Sequence, residues 1–565
     1  MRKSSPLNTA TSVSRAGVSV AGVTVLILVT LAVAVPMLVA GILVFTAPAT
    51  SEQGLAVFFG TRIIPALRFT LLQAFFSTIL AVVVAMPAAF LTARRDFPGR
   101  RLLLSLSGVP LCVPPVVIAL SFVLFYGRQG VVNSLLMTVF SLDTPPLTFL
   151  YSLAGVVLAH GLYNFPVVLR TVSQAWERLP AEREEAALLL GARPRRVFFT
   201  IILPALAGPI LSSAVLVFLY CFFSFVIVLI FGGVGGTTLE VELYQAARSA
   251  LNLRGAGLIA LVETVVAAGI VVLYAWFQRV FVNNRGINVL RTRTSFKGKR
   301  ELFFSLGYLL LIVIFFAGPL IMITLRSLSP PAGGQYAAGS AFGFSGWIGF
   351  FTARSFLPAL FSTLIIGGFT AFLATAAALT FALLEEHYRI AGRTLILRII
   401  PLLPLAVSSV VLAFGWTILV PRGSVFVLIL AQAAVAWPFA WTQIRASLDR
   451  IPSDVHSAAL LLSVRPTDAL FRIFIPLSWR GILSGAGFAF AISAGDATLP
   501  LVLSIPRFEN LALLLFRLTG SYRFTEACAC AVLLAAITGF VFFLQDVDTG
   551  ETRPHHQHSF KEVPK

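Results

Sequence analysis

The chain has 565 residues, of which 58% are hydrophobic and only 12% are charged. Soluble domains carry about 25% charged residues, so this composition excludes a soluble globular protein and indicates a membrane protein made mostly of spans. The net charge is +19, but the basic residues cluster in short loops between apolar runs. That clustering is typical of membrane topology, so we expect a lipid bilayer around the chain and no nucleic-acid partner.

Apolar runs of the length of a membrane span recur along the whole chain. A helix needs about 20 apolar residues to cross a bilayer, and backbone groups in lipid must be paired within the helix. Twelve runs meet this requirement: 17–46, 66–93, 102–126, 148–170, 205–232, 256–278, 302–324, 357–384, 395–420, 424–443, 480–504 and 526–544. We therefore predict an all-α polytopic membrane protein with about 12 transmembrane helices.

The basic residues predict how the helices are oriented. The loop after the second run carries four arginines against Asp96, and the stretch 279–301 carries seven basic residues against Glu301. The loops 127–147 and 325–356 are poor in basic residues. By the positive-inside rule, both termini and the even-numbered loops lie in the cytoplasm, in a multi-pass protein of the cytoplasmic membrane.

Two stretches of the chain are copies of each other. Leu179–Pro204 returns in degraded form 272 residues later as Ile451–Pro476, and Pro110–Val117 matches Pro404–Val411 at an offset of 294. We therefore predict two homologous six-helix halves, 1–290 and 291–565, each with one of these loops, at 179–204 and 451–476. An even number of spans per half makes the repeats parallel.

The first of these loops has the pattern of a helix–turn–helix. Pro180 suits a helix start, three glutamates follow it, and Gly191 is placed to end the helix in a left-handed conformation. Pro194 then opens a second short helix. Its apolar residues Leu188–Leu190 suit docking into a groove on a partner. The alternative is an amphipathic interfacial loop; two copies at equivalent positions favour docking.

The first loop resembles the EAA signature of permease subunits in binding-protein-dependent ABC importers, and it matches every signature position. The resemblance covers about 66–280 and 357–545 and implies a fused permease of the type I importer fold. It further implies that two loops contact an ABC ATPase dimer at the cytoplasmic face, through Glu185, Ala186, Ala187 and Gly191, and through Ser457, Ala458, Ala459 and Ser463. The second copy departs from the signature, because serine replaces both the glutamate and the glycine.

The resemblance also implies partners that this chain does not contain. Lys297–Arg300 is the nearest approach to a P-loop, and it lacks the preceding glycine and the hydroxyl residue. ATP is therefore expected to be used by a separate subunit, and an extracytoplasmic binding protein is expected to deliver the solute. With no metal cluster and no nucleophile paired with a base, we expect no enzyme, no catalytic residue, no metal and no cofactor bound by this chain.

Two short segments indicate a substrate. Thr237–Ala246 and Gly520–Arg523 are similar to segments of fused thiamine permeases, on loops predicted to be external. We therefore expect thiamine or a phosphate ester of it, with ferric iron as the competing substrate, since fused ferric-iron permeases share the architecture. An ion-coupled secondary transporter with 12 helices is the alternative of another class, favoured by a partial loop motif at Asp96–Arg101.

Polar residues inside the membrane are costly, so they are candidates for the substrate path. Three such residues are Asp496, His160 and Asn164. Asp496 either faces the path and attracts a cation or pairs with the backbone of its own broken helix near Gly495 and Pro500. His160 and Asn164 are one turn apart, which is also typical of hydrogen bonds between helices. Glu263 has no obvious partner, and a helix–helix contact is the simpler interpretation.

Overall fold

The computed structural model describes residues 6–46, 55–97, 100, 104, 113–231, 236–281, 294, 296, 298–329, 343–389, 401, 404, 407–462 and 466–547. Within these residues the regular elements are helices. The first half contains α1 (Pro6–Thr46), α2 (Ile64–Arg94), α3 (Pro115–Tyr126), α4 (Val131–Phe140), α5 (Leu153–Glu177), α6 (Ala181–Leu189), α7 (Leu203–Phe222), α8 (Val226–Phe231), α9 (Leu239–Tyr244) and α10 (Leu253–Phe281).

The second half repeats this order with two exceptions. It contains α11 (Lys299–Ser327), α12 (Ser345–Thr352), α13 (Phe356–Arg389), α14 (Ser409–Leu419), α15 (Val425–Leu448), α16 (Ser453–Leu462), α17 (Ile475–Gly495), α18 (Thr498–Leu503), α19 (Leu511–Gly520) and α20 (Phe524–Val547). Helix α4 has no counterpart between α14 and α15, and α12 stands where the first half has a short helical turn.

Two kinds of short segment connect these helices. Helical turns lie at Leu55–Phe58, Phe149–Tyr151, Pro194–Val197 and Pro466–Ala469. π-Helical segments lie at Phe59–Ile63, Phe198–Ile202, Gln245–Ser249 and Leu470–Phe474.

Eleven helices in the described residues are long and apolar enough to cross a membrane, and each overlaps a predicted run. The remaining run, 395–420, is represented by α14, and residues 390–400 lie outside the described part. The all-α polytopic fold is therefore confirmed. Two predicted runs, 205–232 and 480–504, are each broken into two helices, at Phe223–Phe225 and at Asp496–Ala497.

Small residues let the helices of the first half pack closely. The buried face of α2 is built largely from alanine, from Ala66 and Ala74 to Ala88 and Ala89, and it packs along α5. Lipid tails are as apolar as leucine, so close van der Waals contact through small residues is what holds helices together inside a bilayer. The larger apolar side chains therefore point outward, as Phe75 does with 52% exposure.

Matching hydrogen bonds link the same elements in both halves. Thr70 accepts a bond from the backbone N–H of Leu239 at 3.0 Å, and Thr363 accepts one from Leu511 at 2.9 Å. Each bond joins the long helix α2 or α13 to the start of α9 or α19. The duplication read from the sequence thus extends to side-chain contacts between helices.

The first helix of each half packs on the opposite half. Helix α1 contacts α13 and α14 as well as α10, and α11 contacts α3 and α5 as well as α20. A side chain at Gly415 of α14 would meet the carbonyl oxygen of Pro36 at 2.2 Å, so only glycine permits this approach of α1. The halves are therefore interlocked, because each half contributes its first helix to the packing of the other.

Candidate functional site

The first loop forms the predicted helix–turn–helix. Helix α6 ends at Leu189, and two residues later Gly191 has a φ of +82°, a conformation that glycine adopts without strain. The N–H of Gly191 donates to the carbonyl of Leu188, and the N–H of Ala192 donates to that of Ala187, both at 3.0 Å. Pro194 opens the following turn as predicted. The structure corrects one detail, because Pro180 is the residue before the helix and not its first residue.

One ion pair joins this loop to the body of the first half, and a second lies beside it. Glu184 of α6 pairs with Arg94 at the end of α2, and Glu177 at the end of α5 pairs with Arg100. Ala187 packs against the main core from the inner side of α6. Glu184 thus joins α6 to the end of α2, and the arginine-rich segment after α2 is in turn joined to α5.

The outer side of the loop is exposed and apolar at its tip. Glu185 and Ala186 are exposed, and Leu189 and Leu190 at the end of α6 are 88% and 89% exposed. Exposed leucines at the helix ends of both loops make these tips candidate contact surfaces. Leu462, at the end of α16 in the second loop, is 84% exposed.

The second loop presents part of the same surface. Ala458 is exposed and Ala459 is 2% exposed, so α16 turns the same kind of small-residue face toward the core. Ser463 and the side chain of Ser457 lie outside the described residues.

An ion pair joins the helices beside the second loop. Arg445 near the end of α15 pairs with Glu386 of α13 at 2.8 Å. Arg445 is the counterpart of Ser173 in the first half, which makes a hydrogen bond with Thr92.

Asp496 lies at the break between α17 and α18 and binds the backbone there. Its Oδ1 accepts bonds from the N–H of Thr498 at 2.8 Å and of Leu499 at 3.2 Å, and its Oδ2 accepts one from Gln432 at 3.1 Å. An aspartate that satisfies the exposed N–H groups of a helix start is a cap. Of the two interpretations of this residue, the structural one therefore matches its contacts.

His160 and Asn164 make hydrogen bonds within the first half. His160 Nε2 lies 2.8 Å from Ser224 Oγ, and Asn164 Nδ2 donates to the carbonyl of His160 at 3.0 Å. Both residues are buried, at 3% and 4% exposure. Gln432 and Asp496 stand 272 residues after His160 and Ser224, so these candidates are equivalent polar links at the broken helices of the two halves.

The two segments with similarity to thiamine permeases differ in exposure. Thr237–Ala246 contains α9, and Thr238–Leu243 is buried, so this segment is not the external loop that we predicted. Gly520–Arg523 does form an exposed turn, where Tyr522 is 81% exposed. The prediction failed for the first segment because its polar residues bind inside the protein: Thr238 donates to the carbonyl of Ser224 at 2.8 Å, and Glu240 accepts from Ser408 at 2.6 Å.

A cavity beside the exposed turn was missed from the sequence. It has a volume of about 220 Å³ and is lined by Phe350, Ala353, Ser355, Leu514, Arg517, Leu518, Ser521, Arg523 and Glu526. Arg517 pairs with Glu509, and Arg523 with Glu526. Burial raises the pKa of Glu509 more than Arg517 lowers it. Arg517 and Arg523 lie on a face that is predicted to be poor in basic residues. These two arginines were the feature of the sequence that could have indicated a site here.

Two interlocked halves, each with a loop that carries exposed leucine at its tip, are the architecture that the signature of the first loop predicted for a permease of the ABC importer class. Residues 81–285 match the family described as binding-protein-dependent transport system inner membrane component. The chain belongs to this family of permease components.

Curated relatives extend the match to both halves. The chain is 27% identical over 489 residues to the thiamine transport system permease protein ThiP of Brucella abortus (strain 2308), covering 85% of this chain and 86% of that protein. It is 27% identical over 505 residues to ThiP of Escherichia coli (strain K12), covering 87% and 90%. It is 33% identical over 213 residues to the putative 2-aminoethylphosphonate transport system permease protein PhnU of Salmonella typhi, covering 38% and 74%.

Proposed function

We propose that this permease imports thiamine or a phosphate ester of thiamine. The similarity to the thiamine permeases of Brucella abortus and Escherichia coli carries the proposal, because it runs through both halves and covers 85% or more of this chain. A substrate path is formed by both halves of such a permease, so similarity across both is more informative than similarity in one.

A second candidate substrate is 2-aminoethylphosphonate. The similarity to PhnU is higher, at 33% identity, but it covers 38% of this chain. Ferric iron remains the competing substrate that the architecture of the sequence suggested. Asp496 offers little support for a cation path, because both of its oxygens already accept hydrogen bonds.

The two loops are proposed to couple ATP use to transport. Each loop would seat its exposed tip in a cleft of one subunit of a separate ATPase dimer, with Glu185, Ala186, Ala187 and Gly191 in the first contact. Ser457, Ala458, Ala459 and Ser463 would make the second. Closure of the dimer would move α6 and α16, and the ion pair of Glu184 with Arg94 would carry that motion into α2. The substrate is then exposed alternately to the two sides of the membrane.

The topology follows from the same arrangement. We place both termini and the two loops in the cytoplasm and the turn at Gly520–Arg523 outside, where a loaded binding protein docks. The boundary between the halves is placed at residues 290 and 291. The packing of α1 on α14 supports two interlocked transport units and not two independent domains.

Reconstituted transport tests the substrate. The permease, co-purified with its ATPase and binding protein, is placed in liposomes, and ATP-dependent uptake of labelled thiamine is measured. We expect uptake that excess unlabelled thiamine abolishes and that 2-aminoethylphosphonate and Fe(III) leave unchanged. Uptake of either competitor in place of thiamine would transfer the assignment to that substrate, and uptake without ATPase would contradict the importer mechanism.

The exposed tip of the first loop gives a prediction about the affinity of the permease for its ATPase. Leu189→Ser removes one fully exposed leucine from the proposed contact, and burial of such a side chain contributes about 1.5 kcal/mol at the low end. We expect the ATPase to bind about tenfold more weakly, measured by titrating ATPase onto the purified permease. Leu251→Ser is the matched control, because Leu251 is 69% exposed on the opposite, external side. Equal loss in both variants would contradict the assignment.

A further inference from the structure

The stretch that joins the two halves is bound to the end of α2. Thr294 lies beside Arg95 in a parallel backbone pairing. Its N–H donates to the carbonyl of Arg94 at 3.1 Å, and its carbonyl accepts from the N–H of Asp96 at 3.2 Å. A residue in a parallel β-ladder bonds in this way to the two neighbours of the residue opposite it. Because Thr294 belongs to the second half, this pairing joins the halves at the end of α2.

Side chains reinforce the backbone pairing. Arg95 is 9% exposed, its Nε donates to Oε1 of Glu301 at 2.8 Å, and its Nη1 donates to Oγ1 of Thr294 at 2.5 Å. Glu301 lies in the first turn of α11, where its carboxylate also interacts favourably with the helix dipole. An ion pair that is shielded from water is screened less than a pair at an open surface. Arg95 therefore binds the start of the second half through two side chains.

An apolar cluster lies beside the ion pair. Leu91 of α2, Phe97 and Leu309 of α11 are buried together, and Phe296 packs against them. The ring centres of Phe97 and Phe296 are 6.1 Å apart, within the range of a favourable aromatic pair. Backbone bonds, an ion pair and apolar contacts thus converge at the end of α2 and specify one position for the start of the second half.

The residue that Thr294 binds is also the anchor of the first loop. Arg94 accepts the backbone bond from Thr294 through its carbonyl, and its guanidinium pairs with Glu184 of α6. Arg95, the next residue, pairs with Glu301 of α11. Two successive arginines therefore bind different elements, one in the loop of the first half and one at the start of the second half.

We propose that Arg95 is a positioning residue of the first loop. It binds the start of the second half, and this contact orders the backbone of Arg94, whose side chain holds Glu184. Arg94 is the last residue of α2. Helix ends fray, so a contact that orders Arg94 lowers the entropy cost of its ion pair with the loop. The inference rests on the proposed function, in which this loop binds the ATPase, and it adds that the second half contributes to the position of the first loop.

A distance between two spin labels reports the position of the loop without any ATPase. Leu189→Cys places one label at the exposed tip of the loop, and Phe75→Cys places the other on the exposed side of α2, about 28 Å along the helix from Arg94. The four native cysteines are replaced by alanine in this background. Pulsed electron paramagnetic resonance of the full-length permease in lipid nanodiscs should then give one narrow distance distribution.

Loss of the contact should broaden this distribution. Arg95→Gln and Glu301→Gln each remove one partner of the ion pair, and both should broaden it to a similar extent. Lys299→Gln is the matched control, because Lys299 is exposed in the same first turn of α11, and its distribution should stay narrow. Unchanged distributions in Arg95→Gln and Glu301→Gln would overturn the proposal, and so would equal broadening by Lys299→Gln.

A charge exchange decides the proposal even if a single variant fails to assemble. Arg95→Glu places two carboxylates together and should broaden the distribution. Arg95→Glu/Glu301→Arg restores an ion pair of reversed polarity and should narrow the distribution again. An assembled exchange variant whose distribution stays broad would overturn the role of this ion pair in positioning the loop.

Titration of the ATPase onto the same variants separates this inference from the proposed function. Arg95→Gln and Glu301→Gln should bind the ATPase about fivefold more weakly, the loss expected of one ion pair at the upper end for such contacts. A broadened distribution with unchanged ATPase affinity would support the positioning by Arg95 and contradict the loop as the ATPase contact. Weaker binding with an unchanged distribution would overturn the positioning by Arg95.

Discussion

Glu185→Lys is expected to reduce ATP-driven uptake to background while the protein remains inserted and monodisperse. Glu185 is exposed on α6, and its neighbour Glu184 already makes the ion pair that anchors the helix. The substitution therefore reverses a charge on the proposed ATPase contact without breaking a contact inside the permease. Uptake in liposomes, with co-elution of the ATPase, measures the effect.

Glu182→Lys is the matched control for this prediction. Glu182 is an exposed glutamate one turn earlier on the same helix, so both variants make the same change in charge and a similar change in the interaction with the helix dipole. We expect the control to keep most of its uptake. Equal loss in the two variants would mean that the charge of α6 as a whole matters and that Glu185 has no specific role. Normal uptake by Glu185→Lys would remove this residue from the mechanism.

Features that depend on local sequence were predicted well. Span positions follow from apolar length, and the end of α6 follows from Gly191, because a left-handed residue after a helix is most easily glycine. The turn after it follows from Pro194, whose ring fixes the backbone of a first helical residue. The family resemblance rested on the same loop and is confirmed by the comparisons. The roles of the two loops in binding an ATPase stay predictions.

Features that depend on contacts between distant residues were not predicted. The sequence shows Asp496 inside an apolar run, but it does not show that the run breaks there or that Gln432, 64 residues earlier, donates to it. Burial of Thr238–Leu243 depends likewise on partners in α2, α10 and α14. A polar residue near a membrane helix end is compatible with solvent and with a buried hydrogen bond, and only the packing distinguishes the two.

The packing also shows that the two halves join equivalent helices by different interactions. Where the first half joins α2 to α5 by a bond of 2.9 Å between Thr92 and Ser173, the second half joins α13 to α15 by the ion pair of Glu386 and Arg445. Side chains of Glu386 and Arg445 are 2% and 7% exposed. A duplicated sequence thus permits different chemistry at equivalent positions.

Arg445→Met is expected to destabilise the protein by about 3–5 kcal/mol, because it leaves the carboxylate of Glu386 buried without its cation. Ser173→Ala, at the equivalent position of the first half, removes a neutral hydroxyl bond and should cost about 1 kcal/mol. Thermal unfolding midpoints in one detergent compare the variants. The double variant Arg445→Met/Glu386→Leu should recover most of the loss, since an apolar pair needs no desolvation of charge. A double variant no more stable than Arg445→Met would show that the pair acts through specific geometry and not through the burial of an unpaired charge.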